Sequence, residues 1–158
     1  KQLVEYAIGS SFETIVGLSR DERFYSSIVP SANMVATAPE VAQFFQMLLN
    51  GGELNGKRIM KEETVRAMTR ETGNTWFDRR LMMPMRYSQG FMLGNSPLGM
   101  FGPDTKQAYG HLGFMNILCW ADPQRDISVA LLNTGKSLGG RHVIAFADVL
   151  RTISEECG

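Results

Sequence analysis

The sequence lacks any apolar run that approaches the roughly 18 to 20 residues a helix needs to cross a bilayer. It also lacks an excess of one charge, because sixteen basic residues balance sixteen acidic ones and no Lys/Arg run stands out. Nucleic-acid-binding domains concentrate basic charge on one surface. We therefore expect no membrane span and no nucleic acid as the main partner.

Cysteine and histidine are scarce as well. Cys119 and Cys157 do not make a disulfide framework, although the sequence alone leaves a bond between them open. Cys119 lies in the apolar run at residues 117–120, which favours a buried free thiol. The only histidines, His111 and His142, have no cysteine or acidic cluster at metal-ligand spacing around them. We expect no metal site, and we predict no cofactor.

A complete catalytic set is also missing. No serine is followed by lysine at the third position, so the Ser-x-x-Lys arrangement, in which lysine can take the serine proton, is absent. The sequence contains no Gly-x-Ser-x-Gly elbow, no Walker loop and no dinucleotide-binding glycine fingerprint. The chain begins at Lys1 without a methionine, which we interpret as a processed or truncated product.

Two helices are predicted in the first half of the chain. Residues 37–40 have the form of a capping box with Pro39 in the first turn, and residues 50–52 supply a glycine stop. An Asn55-Gly56 hairpin then leads into a second predicted helix at residues 61–70. The predicted apolar stripe of the first helix consists of Val41, Phe44, Phe45 and Leu48.

The last third contains a predicted hairpin and a covering helix. Residues 114–121 are β-prone, residues 122–125 have the form of a type I turn, and residues 127–131 alternate. Residues 87–93 are a further candidate strand, and residues 94–104 are predicted as loop. This α+β order predicts an antiparallel sheet packed against helices. The stripe of the C-terminal helix consists of Val143, Phe146, Ala147, Leu150 and Ile153.

We predict a single partial domain over residues 1–158. Its segments are a loop-rich lead-in at 1–36 with one helical turn, a helical segment at 37–72, variable loops at 73–107, and the strand hairpin with the C-terminal helix at 108–158. The methionine-, glycine- and proline-rich variable loops either set substrate choice or form plain flexible surface.

One segment beside the hairpin could carry chemistry. In residues 109–114, Tyr-Gly-His-Leu-Gly-Phe, glycines flank the histidine and allow a ligand to approach the backbone. The His111 imidazole could donate to a substrate or a catalytic hydroxyl, and the Phe114 N–H could point into a cleft. The alternative is a glycine-rich strand start with an ordinary half-buried histidine. The residues by themselves leave both readings open.

Two segments together resemble the serine β-lactamase-like family, which includes class C β-lactamases, D,D-peptidases and related carboxylesterases. Residues 37–59, Thr37 to Ile59, are similar to a stretch typical of that family. Residues 109–113 and the hairpin that follows them, up to Gly135, resemble its third motif, where His-x-Gly often replaces Lys-Thr-Gly. The resemblance covers roughly residues 30–155.

The resemblance implies the C-terminal part of a β-lactamase/transpeptidase-like fold. In that family a Ser-x-x-Lys serine attacks an ester or amide carbonyl to give an acyl-enzyme, and a tyrosine assists proton transfer. It implies that His111 takes the place of the motif lysine and that Leu112 holds the middle position. Gly113 would leave room for substrate, the Phe114 backbone N–H would be an oxyanion-hole donor, and Tyr109 would line the substrate-binding strand.

Because the first two motifs are missing, the resemblance implies a fragment of an esterase- or peptidase-like serine hydrolase that is inactive by itself. Its partners would be a small ester or amide substrate and the missing N-terminal half. The absent motif lysine favours an esterase or peptidase over a true β-lactamase. The alternative is a non-catalytic binding module with the same fold, which self-associates through an open sheet edge. A Ser-x-x-Lys upstream in the parent gene would discriminate between the two.

Overall fold

A computed structural model describes residue 5 and residues 9–18, 20–30, 33–79, 81–113, 117–133 and 141–157. The chain forms two compact units, one of residues 1–36 with 78–83 and the other of residues 37–77 with 84–158. The single partial domain over residues 1–158 and its four segments stay a prediction.

The smaller unit is more helical than the sequence indicated. Helix α1 spans Phe12–Leu18 and helix α2 spans Glu22–Ser26. The Ser11 hydroxyl accepts the Thr14 N–H at 3.1 Å, and the Asp21 carboxylate accepts the Arg23 N–H at 2.9 Å. The prediction of a single helical turn in this stretch was therefore wrong, since the side chains of Ser11 and Asp21 accept N–H groups in the first turns of two separate helices.

Helix α3 spans Ala38–Leu49, as the capping pattern predicted. The N–H and the hydroxyl of Thr37 both donate to the Glu40 carboxylate at 2.7 Å. Gly51 and Gly52 have φ angles of 62° and 96°, and these left-handed conformations end the helix at the predicted place.

The predicted apolar stripe of α3 is wrong at one position. Phe45 and Leu48 are buried, whereas Phe44 is 42% exposed and Met47 is buried in its place. The face that meets the core is centred between Phe45 and Leu48, with Val41 partly buried beside them. Phe44 lies on the flank of that face, where its ring meets the Phe45 ring edge-on at a centroid distance of 5.4 Å.

The Asn-Gly hairpin and the helix after it are confirmed. Strands β1 (Glu53–Leu54) and β2 (Lys57–Arg58) are antiparallel. Asn55 and Gly56 between them have φ angles of 51° and 73°, as a tight type I′ turn requires. Helix α4 follows at Glu62–Thr69.

A six-stranded sheet forms the centre of the larger unit. Its strands lie in the order β10-β9-β8-β5-β4-β3, so β8 is an interior strand. The predicted α+β architecture, an antiparallel sheet with helices, is confirmed. Strands β6 (Leu98–Gly99) and β7 (Gly102–Pro103) form a separate ribbon. The six strands are β3 (Trp76–Asp78), β4 (Met83–Tyr87), β5 (Met92–Leu93), β8 (Tyr109–Gly113), β9 (Ile117–Asp122) and β10 (Ile127–Leu131).

Two predictions between residues 87 and 104 are wrong. Residues 87–93 are not one strand, because β4 ends at Tyr87 and β5 begins at Met92. The Ser88 hydroxyl accepts the Phe91 N–H at 2.9 Å and closes a turn between them. Residues 94–104, predicted as loop, contain β6 and β7, because the chain folds back there to pair Gly99 with Gly102.

The two faces of the sheet pack against different helices. Tyr109, Cys119 and Ala121 belong to a core with Phe45 and Leu48 of α3. Leu118 and Trp120 point to the other face, where helix α5 (Arg141–Glu156) contributes Leu150 and Phe101 stacks on Trp120 with ring centroids 5.7 Å apart. Because side chains alternate along a strand, each face of β9 belongs to its own core.

The predicted stripe of α5 holds only toward its C-terminal end. Leu150 is buried, and Phe146 and Ile153 are partly buried against the same core. Val143 is 50% exposed and Ala147 is also exposed, so those two positions were wrong. Helix α5 instead makes its closest contact near Ser154, where its backbone approaches strand β7.

A glycine allows that close approach of α5. Gly102 in β7 has a φ angle of 110°. A Cβ atom there would collide with the Ser154 hydroxyl and the Leu150 carbonyl. The absence of a side chain at this position therefore lets the helix backbone lie directly against the ribbon.

A buried ion pair joins α5 to the β9–β10 turn. The Arg125 guanidinium donates to the Asp122 carboxylate at 2.7 Å, to the Ser154 carbonyl at 2.9 Å and to the Asp104 carbonyl at 3.2 Å. Asp122 is 1% exposed. The Arg125 N–H also bonds the Asp122 carbonyl at 3.2 Å, which confirms the predicted turn.

Both cysteines are free, with Cys119 buried as predicted and Cys157 exposed. None of the helices in the described ranges is both long and apolar enough to cross a membrane.

Candidate active site

Strand β8 has unequal support on its two sides. On one side all five of its residues pair with β9, which sets His111 opposite Cys119 and Gly113 opposite Ile117. On the other side β5 pairs only with Tyr109 and Gly110. Among the described strands, therefore, residues 111–113 are paired on the β9 side alone.

Both glycines that flank His111 have a packing reason. A Cβ atom at Gly110 would collide with the Cys119 carbonyl and the Trp120 backbone on β9. A Cβ atom at Gly113 would lie 3.1 Å from Cβ and Cγ2 of Ile117, which is tighter than ordinary contact. The glycine pattern thus reflects close strand approach, in addition to any room that it leaves for a substrate.

The His111 side chain is exposed, not half-buried as in the alternative interpretation. Its Nδ1 lies 2.8 Å from the Leu112 carbonyl oxygen. A carbonyl only accepts, so this contact is a hydrogen bond when Nδ1 carries a proton. In the neutral ring this tautomer leaves Nε2 as an acceptor, and in the imidazolium Nε2 is a second donor.

Tyr109 supports the strand from the core. It is 5% exposed, and its ring lies 5.5 Å from the Phe91 ring between centroids. Burial raises the pKa of its hydroxyl to about 12. The side chain is thus held neutral within the α3-side core, and a direct contact between Tyr109 and substrate stays a prediction.

The other predicted site residues differ in position. Gly113 lies on the same face of the strand as His111, whereas Leu112 alternates to the α5-side core; both are half-buried. Phe114, whose N–H is the predicted oxyanion-hole donor, lies outside the described residues. The roles assigned to these residues stay predictions.

Cys119 lies opposite His111 but is not an activated nucleophile. Burial raises the pKa of its thiol, and a hydrogen bond with the Leu131 backbone opposes this only in part. The thiol therefore stays protonated at neutral pH, and a protonated thiol is a poor nucleophile. Within the described part of the chain, no three His, Cys, Asp or Glu side chains are grouped as metal ligands.

Sequence reasoning missed Ile117 as a neighbour of the site. It is half-buried, packs against the α3-side core and lies opposite Gly113 in the strand register. The apolar run was visible in the sequence, but its pairing with residues 109–113 depends on the register of two strands. No local sequence signal reports that register.

Comparison with known proteins agrees with this architecture. A profile of the family described as Beta-lactamase matches residues 4–151. The curated protein Esterase/beta-lactamase LipL of Mycobacterium tuberculosis (strain H37Rv) is 32% identical over 105 residues, which are 66% of this chain and 23% of that protein.

Two solved structures are also similar. A penicillin-binding protein homologue from Caulobacter crescentus matches with a TM-score of 0.61 and 30% identity, over 76% of this chain and 32% of its own. A family VIII carboxylesterase matches with a TM-score of 0.66 and 23% identity, over 89% of this chain and 37% of its own, which shows the fold alone. This chain thus spans about a quarter to somewhat over a third of the length of these relatives. The family profile covers nearly all of it, and the chain belongs to the beta-lactamase family.

Proposed function

We propose that residues 1–158 are the C-terminal part of a serine hydrolase that cleaves ester or amide bonds through an acyl-enzyme, with β8 as one wall of its active site. The relatives named as esterase and penicillin-binding protein homologue support a serine-hydrolase-like function. The observation that carries the proposal is the exposed His111 on the part of β8 that β5 leaves uncovered.

In this proposal the residues of β8 bind and orient the reacting carbonyl. His111 in its imidazolium form donates a hydrogen bond from Nε2 to the substrate or to a catalytic hydroxyl, because its Nδ1 faces the Leu112 carbonyl. The edge of residues 111–113 that β5 leaves unpaired offers backbone groups. The Phe114 N–H is one donor to the oxyanion that forms in the transition state. Loss of one such donor costs about 3 kcal/mol of transition-state stabilisation.

The nucleophilic serine and its lysine are proposed to come from polypeptide outside residues 1–158, since no Ser-x-x-Lys occurs within them. Residues 1–158 by themselves are then inactive. The neutral leucine in the middle of the motif and the histidine in place of lysine favour ester or peptide substrates over β-lactams.

The test compares the full-length protein that contains this chain with residues 1–158 alone, using p-nitrophenyl butyrate and nitrocefin. We expect the full-length protein to hydrolyse the ester and the chain alone to hydrolyse neither. His111→Ala in the full-length protein should lower kcat by about 100-fold or more, the usual effect of losing a transition-state donor. His142→Ala, on α5 beyond the opposite face of the sheet, is the matched control. Ester turnover unchanged by His111→Ala contradicts the proposal.

A second candidate is a binding module that self-associates through an open sheet edge. Among the described strands β10 lies at the edge of the sheet, and its five residues include neither a charge nor a proline, two of the features that prevent edge pairing. In this case sedimentation of the full-length protein shows a concentration-dependent dimer that Val129→Pro abolishes. A monomer that hydrolyses the ester contradicts this second candidate.

A further inference from the structure

Strand β5 lies beside β8 with very little backbone pairing of its own. It consists of Met92–Leu93, which pair with two residues of β8 on one edge and two residues of β4 on the other. One further backbone bond, from the Gly94 N–H to the Ala108 carbonyl at 2.8 Å, extends the contact with β8. Because each ladder bond contributes only about 1 kcal/mol net, so short a strand needs other contacts to keep its position.

The Arg86 guanidinium on β4 supplies such a contact at the end of β5. Its Nη1 donates to the carbonyl of Gly94, directly after β5, at 2.6 Å. The same nitrogen donates to the carbonyl of Lys106, three residues ahead of β8, at 3.0 Å. The Arg86 side chain is only 12% exposed. Because one nitrogen with two protons binds both carbonyls, it fixes the exit of β5 relative to the approach to β8.

The remaining donors of Arg86 bind a carboxylate that leads to the other end of β5. Nε and Nη2 donate to the two oxygens of Glu71 at 2.9 and 2.7 Å, which is a bidentate pair. These hydrogen bonds hold the pKa of the Glu71 carboxyl below its usual range. Glu71 forms an antiparallel bridge with Ser88, whose hydroxyl accepts the Phe91 N–H immediately ahead of β5. One side chain is thus connected to both ends of β5.

We infer that Arg86 is a positioning residue of the proposed active site, which holds β5 against the first residues of β8 and thereby sets where β8 carries His111. This inference rests on the proposed function and adds a residue to it. Arg86 acts through the backbone of β8, whose paired residues Tyr109 and Gly110 directly precede His111. A displacement of about 1 Å at a reacting group can lower a rate about 100-fold.

The test measures kcat and KM for p-nitrophenyl butyrate with the full-length protein and its variants, at a temperature where near-ultraviolet circular dichroism shows each of them folded. Arg86→Met removes every donor but keeps much of the aliphatic stem. We expect kcat to fall about tenfold or more. KM should change less than about threefold, since a misplaced transition-state donor lowers kcat. Arg86→Lys keeps the charge without the planar fork, so it should recover only part of the lost kcat.

Arg58→Met is the matched control. Arg58 also donates to two backbone carbonyls from one nitrogen and to a carboxylate from another. It lies on the β1–β2 hairpin, which is a separate sheet from the one that contains β8. Arg58→Met should therefore leave both kinetic constants unchanged.

The outcomes separate this inference from the function on which it rests. A folded Arg86→Met protein with the parent kcat, a rise in KM alone, or an equal fall in kcat with Arg58→Met overturns the positioning role while the hydrolase proposal stands. If Arg86→Met does not fold, Glu71→Gln replaces it, since Glu71 keeps 35% of its side chain exposed and the two carbonyl bonds remain. Its kcat should fall about threefold or more, and an unchanged kcat overturns the inference. A full-length protein without ester turnover overturns the hydrolase proposal and the positioning role with it.

Discussion

Substitution of Arg125 by methionine tests how the β9–β10 turn is held to helix α5. Arg125 keeps only 13% of its side chain exposed, and its partner Asp122 keeps 1%. Methionine preserves much of the aliphatic stem but removes every donor. Asp122 would then retain the Gln124 N–H at 3.0 Å, while the Ser154 and Asp104 carbonyls would lose the guanidinium.

The expected cost is large because an unpaired carboxylate would be left buried. Removing one partner of a buried ion pair costs about 3–5 kcal/mol, a major part of the roughly 5–15 kcal/mol by which small domains are stable. Arg125→Met combined with Asp122→Asn removes the orphaned charge and should recover more than half of that loss. Arg151→Met is the matched control, since its pairs with Asp148 and Glu155 are exposed and worth about 0–1 kcal/mol.

Urea unfolding followed by tryptophan fluorescence measures these differences. Trp120 is 1% exposed and reports on the core, whereas Trp76 is 68% exposed and contributes a nearly constant background. With a urea dependence of about 2 kcal/mol per molar, Arg125→Met should lower the midpoint by about 1.5–2.5 M. A shift no larger than that of Arg151→Met refutes the reasoning that the buried pair needs both partners.

Two further predictions concern strand β8. Burial raises the pKa of Tyr109 to about 12. The unfolded chain, with a tyrosine pKa of about 10, therefore loses this proton first. The free energy of unfolding should fall as pH rises from about 10 through about 12. Tyr109→Phe should make that fall smaller in urea titrations, while the buried Cys119 thiol keeps its own contribution; an equal fall in both proteins contradicts the prediction. Gly110→Ala forces a Cβ into the Cys119 carbonyl and should cost about 1–3 kcal/mol or more in thermal unfolding. Gly17→Ala in α1, with no atom within 4 Å of the added Cβ, should cost nothing.

Local chemistry made parts of the fold predictable. The Thr37–Glu40 cap, the Gly51-Gly52 stop and the Asn55-Gly56 turn each depend on residues within a few positions of one another, and each was confirmed. Phe44 and Met47 show the limit of prediction from local sequence, because both fit helical periodicity. The sheet under α3 decided which of them is buried.

The site was predictable only as a segment. Residues 109–113 stood out by composition, but the composition does not show that β5 pairs only with Tyr109 and Gly110 and leaves His111 unpaired on that side. The Ser88 hydroxyl accepts the Phe91 N–H in the turn between β4 and β5. The strand propensities of residues 87–93 gave no indication of this turn. The position of Ile117 follows from the β8–β9 register, which is a long-range property of the sheet.

Because side chains alternate along β8, the proposed ligand-facing surface and the core that supports it lie on opposite faces of the same strand. His111 faces the α3 side, while Leu112 packs among the α5-side residues together with Val129 and Phe146. Substitutions that change side-chain volume in the α5-side core can tilt β8 without contacting a ligand. Laboratory evolution of this protein should therefore collect activity-tuning substitutions behind the strand, at residues that no inspection of the ligand-facing surface would select.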